Sequence, residues 1–388
     1  MNITKAFSRA VLAVGVAAGL SGATSAQAAS PVEKWGNLYV CDKTQWVDGA
    51  QRNVKKICGN GGAVVTLRGP SLFWSVWGGE EAFKRAVVSS IKNDWQADVI
   101  RVPIAVDNYG EKPSGALDYS NESTRTLNGQ FTRAVNMVNW AQEQGLYVII
   151  DFHSHRMTNQ NNRNEASNRD LRKLAGDFFY QLAKRFPNSP NLIYETWNEP
   201  CKNSGGPCDY GWSYIKDYHN HAIGSIQAGI RDGGGGTRKP LVIAGTPDWS
   251  SRLNVLLNSN GTKNTNAMLG YSNALYAFHF YAASHSDSYK GQVNNAFKAG
   301  IPIFVSEYGC TTADGQSGFD ATKCNDWQGF LNQFNIGHAR WAVTRLSGET
   351  AMLKSWVRGP QLDDGIQLDE RTTQGNDLRG YLRGKKAW

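Results

Sequence analysis

The sequence predicts an α/β protein of the (β/α)8 TIM-barrel class, built as a single domain. Eight short apolar, β-branched runs recur between residues 63 and 343, and stretches of helical period separate them. Near-continuous apolar strands imply a parallel sheet covered on both faces, and eight repeats imply closure of that sheet into a barrel. The rival, an open doubly wound sheet, lacks support because no Gly-rich phosphate fingerprint follows the first run. A chain of 388 residues allows two domains by length alone, but barrels of this class commonly reach that size.

The elements follow in order. Lys5 and Arg9 precede an apolar run from Ala10 to Leu20 and then the small residues "SAQAAS", the layout of a secretory signal peptide over 1–29, cut near Ala28 or Ala29. That run is too short to span a bilayer, so the mature protein is expected to be secreted, with no membrane association after signal removal. Residues 30–388 then form the barrel, with a capping segment before residue 63 and a charged, irregular tail after Trp356. The strands are expected at 63–67, 99–104, 146–152, 191–196, 240–245, 274–281, 302–307 and 340–343. Between the second and third, Phe131, Ala134, Val135, Val138 and Ala141 fall close to one helical stripe.

Composition narrows the function. Loss of Lys5 and Arg9 lowers the formal net charge from +8 to +6, and the remaining basic residues are scattered, which argues against a nucleic-acid partner. Six cysteines in an exported chain imply disulfides. They fall into local pairs, Cys41 with Cys58, Cys201 with Cys208 and Cys310 with Cys324; that pairing is the expectation among fifteen formal connectivities.

The chemistry concentrates where a barrel puts it, at the C-terminal ends of the strands. Arg101 sits on the second strand, His153 and His155 after the third, Asn198 and Glu199 after the fourth, and His279 and Tyr281 on the sixth. Glu307 ends the seventh strand and Trp341 lies on the eighth. Two carboxyls facing each other across a barrel mouth suit the cleavage of a glycosidic bond, which needs one neutral acid and one anion. Burial beside Trp197 is expected to raise the pKa of Glu199, the proton donor; Arg101 and the Tyr281 hydroxyl are expected to keep Glu307 ionised.

The segments "IYETWNEP", "RVPI", "DFHSH", "HFY", "VSEYG" and "RW", in this order, resemble glycoside hydrolase family 5, and "LRGPSLFWSVWGG" with "GTPDW" resembles its bacterial endo-β-1,4-glucanases. The likeness covers roughly residues 60 to 350. It implies a retaining mechanism with Glu199 as acid/base and Glu307 as nucleophile, carboxyls roughly 5 Å apart rather than roughly 6.5 to 9.5 Å. It also implies that Arg101, His153, Asn198, His279, Tyr281 and Trp341 line the subsite of the cleaved sugar, without cofactor or metal. The partner would be a β-1,4-glucan and the chain a monomer. Cys201 after the Asn-Glu-Pro proline, Tyr308 after the nucleophile and "VTRL" before "SGET" depart from the family pattern.

Flat sugar faces pack on aromatic planes, and Trp74, Trp77, Trp212, Trp249 and Trp341 fall in or near the loops of the mouth. The resemblance puts Trp212 and Trp249 towards the leaving group; Trp95 and Trp327 are expected in the core, and Trp140 is left open between core and surface. His219 and His221 are expected to be solvated. The alternative substrate for the same endo-acting chemistry is another β-1,4 glycan, such as mannan, xyloglucan or chitosan. Two other functions compete: a metal-dependent hydrolase using His153 and His155, for which the fifth strand supplies no ligand, and a non-catalytic glycan-binding protein.

Overall fold

Apolar runs separated by helices leave a strand both of its faces to bury, and the eight runs answer by pairing side by side and closing on themselves. The computed structural model describes residues 29–106, 116–117, 119–121, 126–127, 129–155, 171–200, 211–285 and 287–384. An N-terminal hairpin of β1 (Tyr39–Val47) and β2 (Ala50–Cys58) precedes the barrel strands β3 (Arg68–Leu72) and β4 (Val99–Ala105). A small antiparallel pair, β5 (Tyr119–Asn121) and β6 (Thr126–Leu127), follows. The barrel continues with β7 (Tyr147–His153), β8 (Leu192–Glu195), β9 (Val242–Ala244), the split sixth strand β10 (Ala274–Ala277) and β11 (Phe280–Tyr281), β12 (Ile303–Gly309) and β13 (His338–Val343). The order β10-β9-β8-β7-β4-β3-β13-β12-β11, with β10 also pairing β12, closes the parallel barrel.

Seven strands lie where the sequence pattern puts them; the first does not. The ladder runs through Arg68–Leu72 rather than 63–67, because Gly69 and Pro70, which read as turn residues, are barrel positions. A side chain at Gly69 would meet the Val99 carbonyl oxygen at 1.7 Å, so the close strand approach there requires glycine.

The helices are α1 (Pro31–Trp35), α2 (Arg85–Asn93), α3 (Gly129–Glu143), α4 (Leu171–Arg185), α5 (Trp212–Asp232), the short turn α6 (Pro247–Ser250), α7 (Asp287–Lys298), α8 (Ala321–Gln333) and α9 (Thr373–Gly384). In α3, Ala134, Val135, Val138 and Ala141 are buried and Phe131 packs at the edge of the core. The tail is not irregular throughout. Helix α9 docks on the barrel: Arg340 of β13 reaches Asp377 at 2.5 Å and His338 meets the Tyr381 hydroxyl at 3.0 Å. Trp95 and Trp327 are buried, and Trp140 is half-buried against the core.

The N-terminal segment covers the N-terminal strand ends: the Val40 amide of the hairpin donates to the Asn273 side-chain oxygen at 3.1 Å, and the Tyr147 hydroxyl donates to the carbonyl of Gly36, just before the hairpin, at 2.6 Å. Disulfides Cys41–Cys58 and Cys310–Cys324 form as local pairing predicts, while Cys201 and Cys208 lie outside the described residues. No helix among the described residues is long and apolar enough to cross a membrane.

Alternation along the strands splits the side chains into two sets. Ile100, Val102, Val148, Ile150 and Tyr194 pack outward against the helices, while Val99, Tyr147, Ile149, Ile193, Leu275 and Phe304 fill the lower barrel interior. Above that plug the inward positions turn polar, and there the site begins.

Candidate active site

Strand pairing dictates which polar groups meet. β4 and β7 pair with Pro103 opposite Asp151, and β7 and β8 with Asp151 opposite Glu195, so the inward side chains of adjacent strands stack around Arg101. Arg101 is fully buried. Its guanidinium donates to Glu195 at 2.6 Å, Asp151 at 2.9 Å, Glu307 at 2.9 Å and the Asn198 side-chain oxygen at 2.6 Å. Burial alone would weaken the cation, yet Asp151, Glu195 and Glu307 together hold its pKa above the ordinary value. Because a guanidinium can only donate, the Asn198 atom facing it must be oxygen, which leaves the amide NH2 for the cleft.

Above this floor opens a cavity of about 540 Å³, lined by His153, Asn198, Glu199, His279, Tyr281, Glu307, Trp249 and Trp341 of the predicted residues. Glu307 is gripped at both oxygens, by Arg101 on one and by the Tyr281 hydroxyl at 3.0 Å on the other. Glu199 is gripped by imidazoles: His279 Nδ1 at 2.9 Å and His155 Nε2 at 3.3 Å. One oxygen of each glutamate and a ring nitrogen of His279 lie within 4.8 Å of one another. His153 pairs through Nδ1 with Asp151 at 2.5 Å, and its ring lies parallel to Trp341 at 5.6 Å. The Trp341–Ala342 peptide bond is cis.

Electrostatics reverse one expectation. Burial pushes Glu199 up, but hydrogen bonds from His155 and His279 outweigh it, and the carboxyl ends below its ordinary range. Burial and the neighbouring Glu199 charge raise Glu307, against Arg101 and Tyr281. The sequence suggests the opposite order, because it shows what surrounds each strand and not what touches each oxygen. His279 completes the picture: burial alone would lower it, but contacts with Glu195 and Glu199 lift it to about 9. Glu199 and His279 therefore share one proton, which rests on the imidazole in the free protein. His153, buried beside Arg101, stays neutral.

The three-group cluster of Glu199, His279 and Glu307 has the donor types of a metal site, but each donor atom already has a protein partner and the Arg101 cation stands 2.9 Å from Glu307. Such a set fits a protonic rather than a cation-binding role.

The cleft also organises Trp249. Asp248, Trp249 and Ser250 have φ of 54°, 51° and 55°, three consecutive left-handed residues that are not glycine, a strained turn of the kind found at functional sites. It is held by the Ser250 hydroxyl on the Asn198 carbonyl at 2.7 Å and by the His279 amide on the Ser250 carbonyl at 2.7 Å. Trp77, with φ of 58°, stands exposed at the rim with its ring 5.3 Å from Trp74.

A family model for cellulase (glycosyl hydrolase family 5) matches residues 58–347. The chain belongs to glycosyl hydrolase family 5. Among its family relatives are endoglucanase Z of Dickeya dadantii, 32% identical over 72% of this chain and 56% of the relative, and endoglucanase CelA of Streptomyces lividans, 32% identical over 74% and 54%. The chain thus spans about half the length of these curated relatives. In solved structures the catalytic domain of Thermobifida fusca endoglucanase Cel5A matches with TM-score 0.69 at 26% identity, covering 92% of this chain and 100% of that one. A structure from Cytophaga hutchinsonii matches with TM-score 0.72 at 26% identity, over 92% and 98%.

Within this family 5 barrel, three expectations need correction. Arg101 does not line the cleft; it lies beneath the floor, where it orients Glu307 and Asn198. Trp212 does not reach the cavity, since its indole donates to the Ala267 carbonyl at 2.8 Å and its ring packs near Tyr276 on the outside of the barrel wall. His219 is not solvated: fully buried, it meets the Thr196 hydroxyl at 2.7 Å and the Gly245 carbonyl at 2.9 Å. Residues that sequence reasoning left without a role include Asp151, Glu195, Ser306, Asp248 and His285, while His155, weighed there only as a metal ligand, contacts Glu199 instead. Asp151 had a signal, since it lies two residues before His153 and so on the same strand face. Glu195 had the same relation to Trp197, but no pattern in the chain pairs it with Arg101.

Proposed function

We propose that this protein is a secreted, retaining endo-β-1,4-glucanase, cleaving internal bonds of cellulose or a related β-glucan. The observation that carries the reading is the pair of Glu199 and Glu307, with oxygens within 4.8 Å across an open cleft and each held by a different kind of partner. That proximity fits the separation of roughly 5 to 5.5 Å used for double displacement and leaves no room for the water that inversion places between the carboxyls. Relatives named endoglucanase, and the Thermobifida fusca enzyme solved with cellotetraose at 25% identity, support the substrate class. The N-terminal signal-like segment and the two disulfides support export.

Chemistry follows from the grips. Arg101 and Tyr281 fix the Glu307 carboxylate for attack on the anomeric carbon, while the proton shared by His279 and Glu199 passes to the departing glycosidic oxygen. Substrate excludes water from the cleft, and desolvation of both charges favours the neutral carboxylic acid and imidazole over the Glu199–imidazolium pair, which moves the proton onto the carboxyl that delivers it. In the second half, Glu199 takes a proton from water, whose oxygen attacks the same carbon and frees Glu307. Asn198 offers its NH2 to the hydroxyl beside that carbon.

The test measures new reducing ends on a panel of soluble β-1,4 polymers together with the anomeric form first released. Initial β-anomer, no effect of a chelator, and azide rescue of Glu307→Ala, with azide added to the face that Glu307 attacks, opposite the leaving group, to give the α-glycosyl azide, are expected. Initial α-anomer, or α-glycosyl azide formed by Glu199→Ala and not by Glu307→Ala, overturns the mechanism.

A further inference from the structure

The two catalytic glutamates end barrel strands four and seven, so a line between β8 and β12 divides the mouth. Strands β13 and β7 and the loop after β3 bring Trp341, His153 and Trp74 to one side, while the loops after β9 and β11 and the first turn of α7 bring Trp249, His285 and Tyr289 to the other. If Trp341 underlies the cleaved sugar, as the proposed function has it, the second side receives the leaving group.

His285 on that side has one fixed proton position. Its Nδ1 lies 2.7 Å from the Tyr281 backbone nitrogen, and a backbone N–H can only donate, so Nδ1 is an unprotonated acceptor and the ring hydrogen resides on Nε2. Half-buried burial holds the imidazole pKa below its usual value, which keeps this neutral tautomer in place. The ring is also clamped by parallel stacking on Tyr289, with centroids 4.1 Å apart and planes at 15°. Among the described residues Nε2 has no partner, although the ring lines the cleft.

We infer that His285 is a substrate-contacting residue whose Nε2–H donates to a hydroxyl of the sugar on the leaving-group side, so that the cleft selects a glycosidic rather than an arbitrary leaving group. This rests on the glucanase reading above. The same residue touches the nucleophile's support, since the amide it accepts from belongs to Tyr281, whose hydroxyl holds Glu307. Two substitutions separate these roles. His285→Asn keeps an acceptor near the Nδ1 position and removes the Nε2 donor; His285→Gln keeps a donor near Nε2 and removes the Nδ1 acceptor.

The experiment compares kcat/KM for cellopentaose with that for an aryl β-cellobioside, whose leaving group carries no sugar hydroxyl, in the wild type and both variants. In His285→Asn the ratio of the two falls about fivefold, the worth of one neutral hydrogen bond, whereas His285→Gln lowers both values and holds the ratio near that of the wild type. A ratio unchanged in His285→Asn, or lowered equally in both variants, overturns the assignment while leaving the glucanase reading intact. A wild type that cleaves neither substrate overturns that reading and this one with it. Thermal melts of both variants accompany the kinetics, and should His285→Asn not fold, His285→Ala, which also removes the Nε2 donor, replaces it with the same expected fall in the ratio and the same overturning result if the ratio is unchanged.

Discussion

The lower and upper halves of the barrel interior come from the same strands, two residues apart, and have opposite chemistry. Below, Val99, Tyr147, Ile149, Ile193, Leu275 and Phe304 make an apolar plug; above, Arg101, Asp151, Glu195 and Glu307 make a charged cluster buried just as deeply. The plug gains stability from area removed from water, about 25 cal/mol per Å2. The cluster gains little net stability, because desolvating four charges offsets their attraction. Its return is in orientation: one guanidinium sets the direction of Glu307 and of Asn198 at once.

The largest effect that could break this contrast is removal of the shared cation. Arg101→Met leaves buried carboxylates uncompensated and is expected to cost about 3–5 kcal/mol of stability and to lower kcat by about 10²- to 10³-fold in the folded fraction. Ile149→Ala in the plug is expected to cost a comparable 2–5 kcal/mol with kcat of the folded protein retained. Denaturant melts and active-site-normalised turnover distinguish the two. Equal loss of turnover in both variants would show that the halves do not differ in role.

Next in size is a contact made by the absence of a side chain. A Cβ at Gly309 would lie 2.3 and 2.4 Å from two ring carbons of Tyr281, so Gly309→Ala must push that ring away and break its bond to Glu307. A hydrogen bond to a charged group is worth about 1.5–3 kcal/mol, so kcat is expected to fall by about ten- to a hundredfold. Tyr281→Phe removes the same bond without the clash. The double variant should then be little worse than either single one, and additive losses would refute the shared cause.

These groups also mark how far the sequence is legible. Apolar period reveals seven strands and the α3 stripe, and strand-end position reveals Glu199 and Glu307, because both signals lie within a few consecutive residues. Glu195 and Ser306 gain their meaning only when the sheet closes and β8 and β12 bring them to His279 and Arg101. Trp212 and His219 look like loop or surface residues until α5 is placed against the Ala267 and Gly245 carbonyls that satisfy them. The charge order of the two glutamates fails for the same reason: a pKa follows the atoms within hydrogen-bond reach, and those come from three other barrel strands, Arg101 from β4, His155 from the end of β7, and His279 and Tyr281 from the split sixth strand.

Titration gives a smaller effect but a sharper one. In the mechanism proposed above Glu307 must be ionised to attack, so its raised pKa is expected to place the acid limb of kcat/KM above the ordinary carboxyl range. The shared proton must be present to leave, so the alkaline limb follows His279, at about 9. In His279→Gln only Glu199 can hold that proton, and the alkaline limb is expected to move to lower pH. Linkage has the same sign: a histidine raised from 6.5 to about 9 contributes stability fully present below pH 6.5 and lost as pH rises through about 9. The melting temperature difference between wild type and His279→Gln should therefore shrink over that interval, and a constant difference would rule out the protonated imidazole.

The smallest expected change in turnover compares the two disulfides, which sit at opposite ends of the barrel. Cys41–Cys58 spans 17 residues of the hairpin beneath the plug, and Cys310–Cys324 spans 14 residues starting one position after β12. Loops of such similar length constrain the unfolded chain almost equally, so Cys41→Ser/Cys58→Ser and Cys310→Ser/Cys324→Ser are each expected to lose about 2–4 kcal/mol. Turnover should separate them. Cys310 follows Glu307 by three residues, and Asp320 of the same loop returns its amide to the Cys310 carbonyl at 2.8 Å, so freeing this bridge loosens the segment that carries Glu307. A fall in kcat of about two- to fivefold is expected there, since each misplaced hydrogen bond is worth about 1 kcal/mol. The hairpin bridge has no such path to the chemistry, because the apolar plug stands between, and kcat in its absence should stay at the wild-type value in the folded protein.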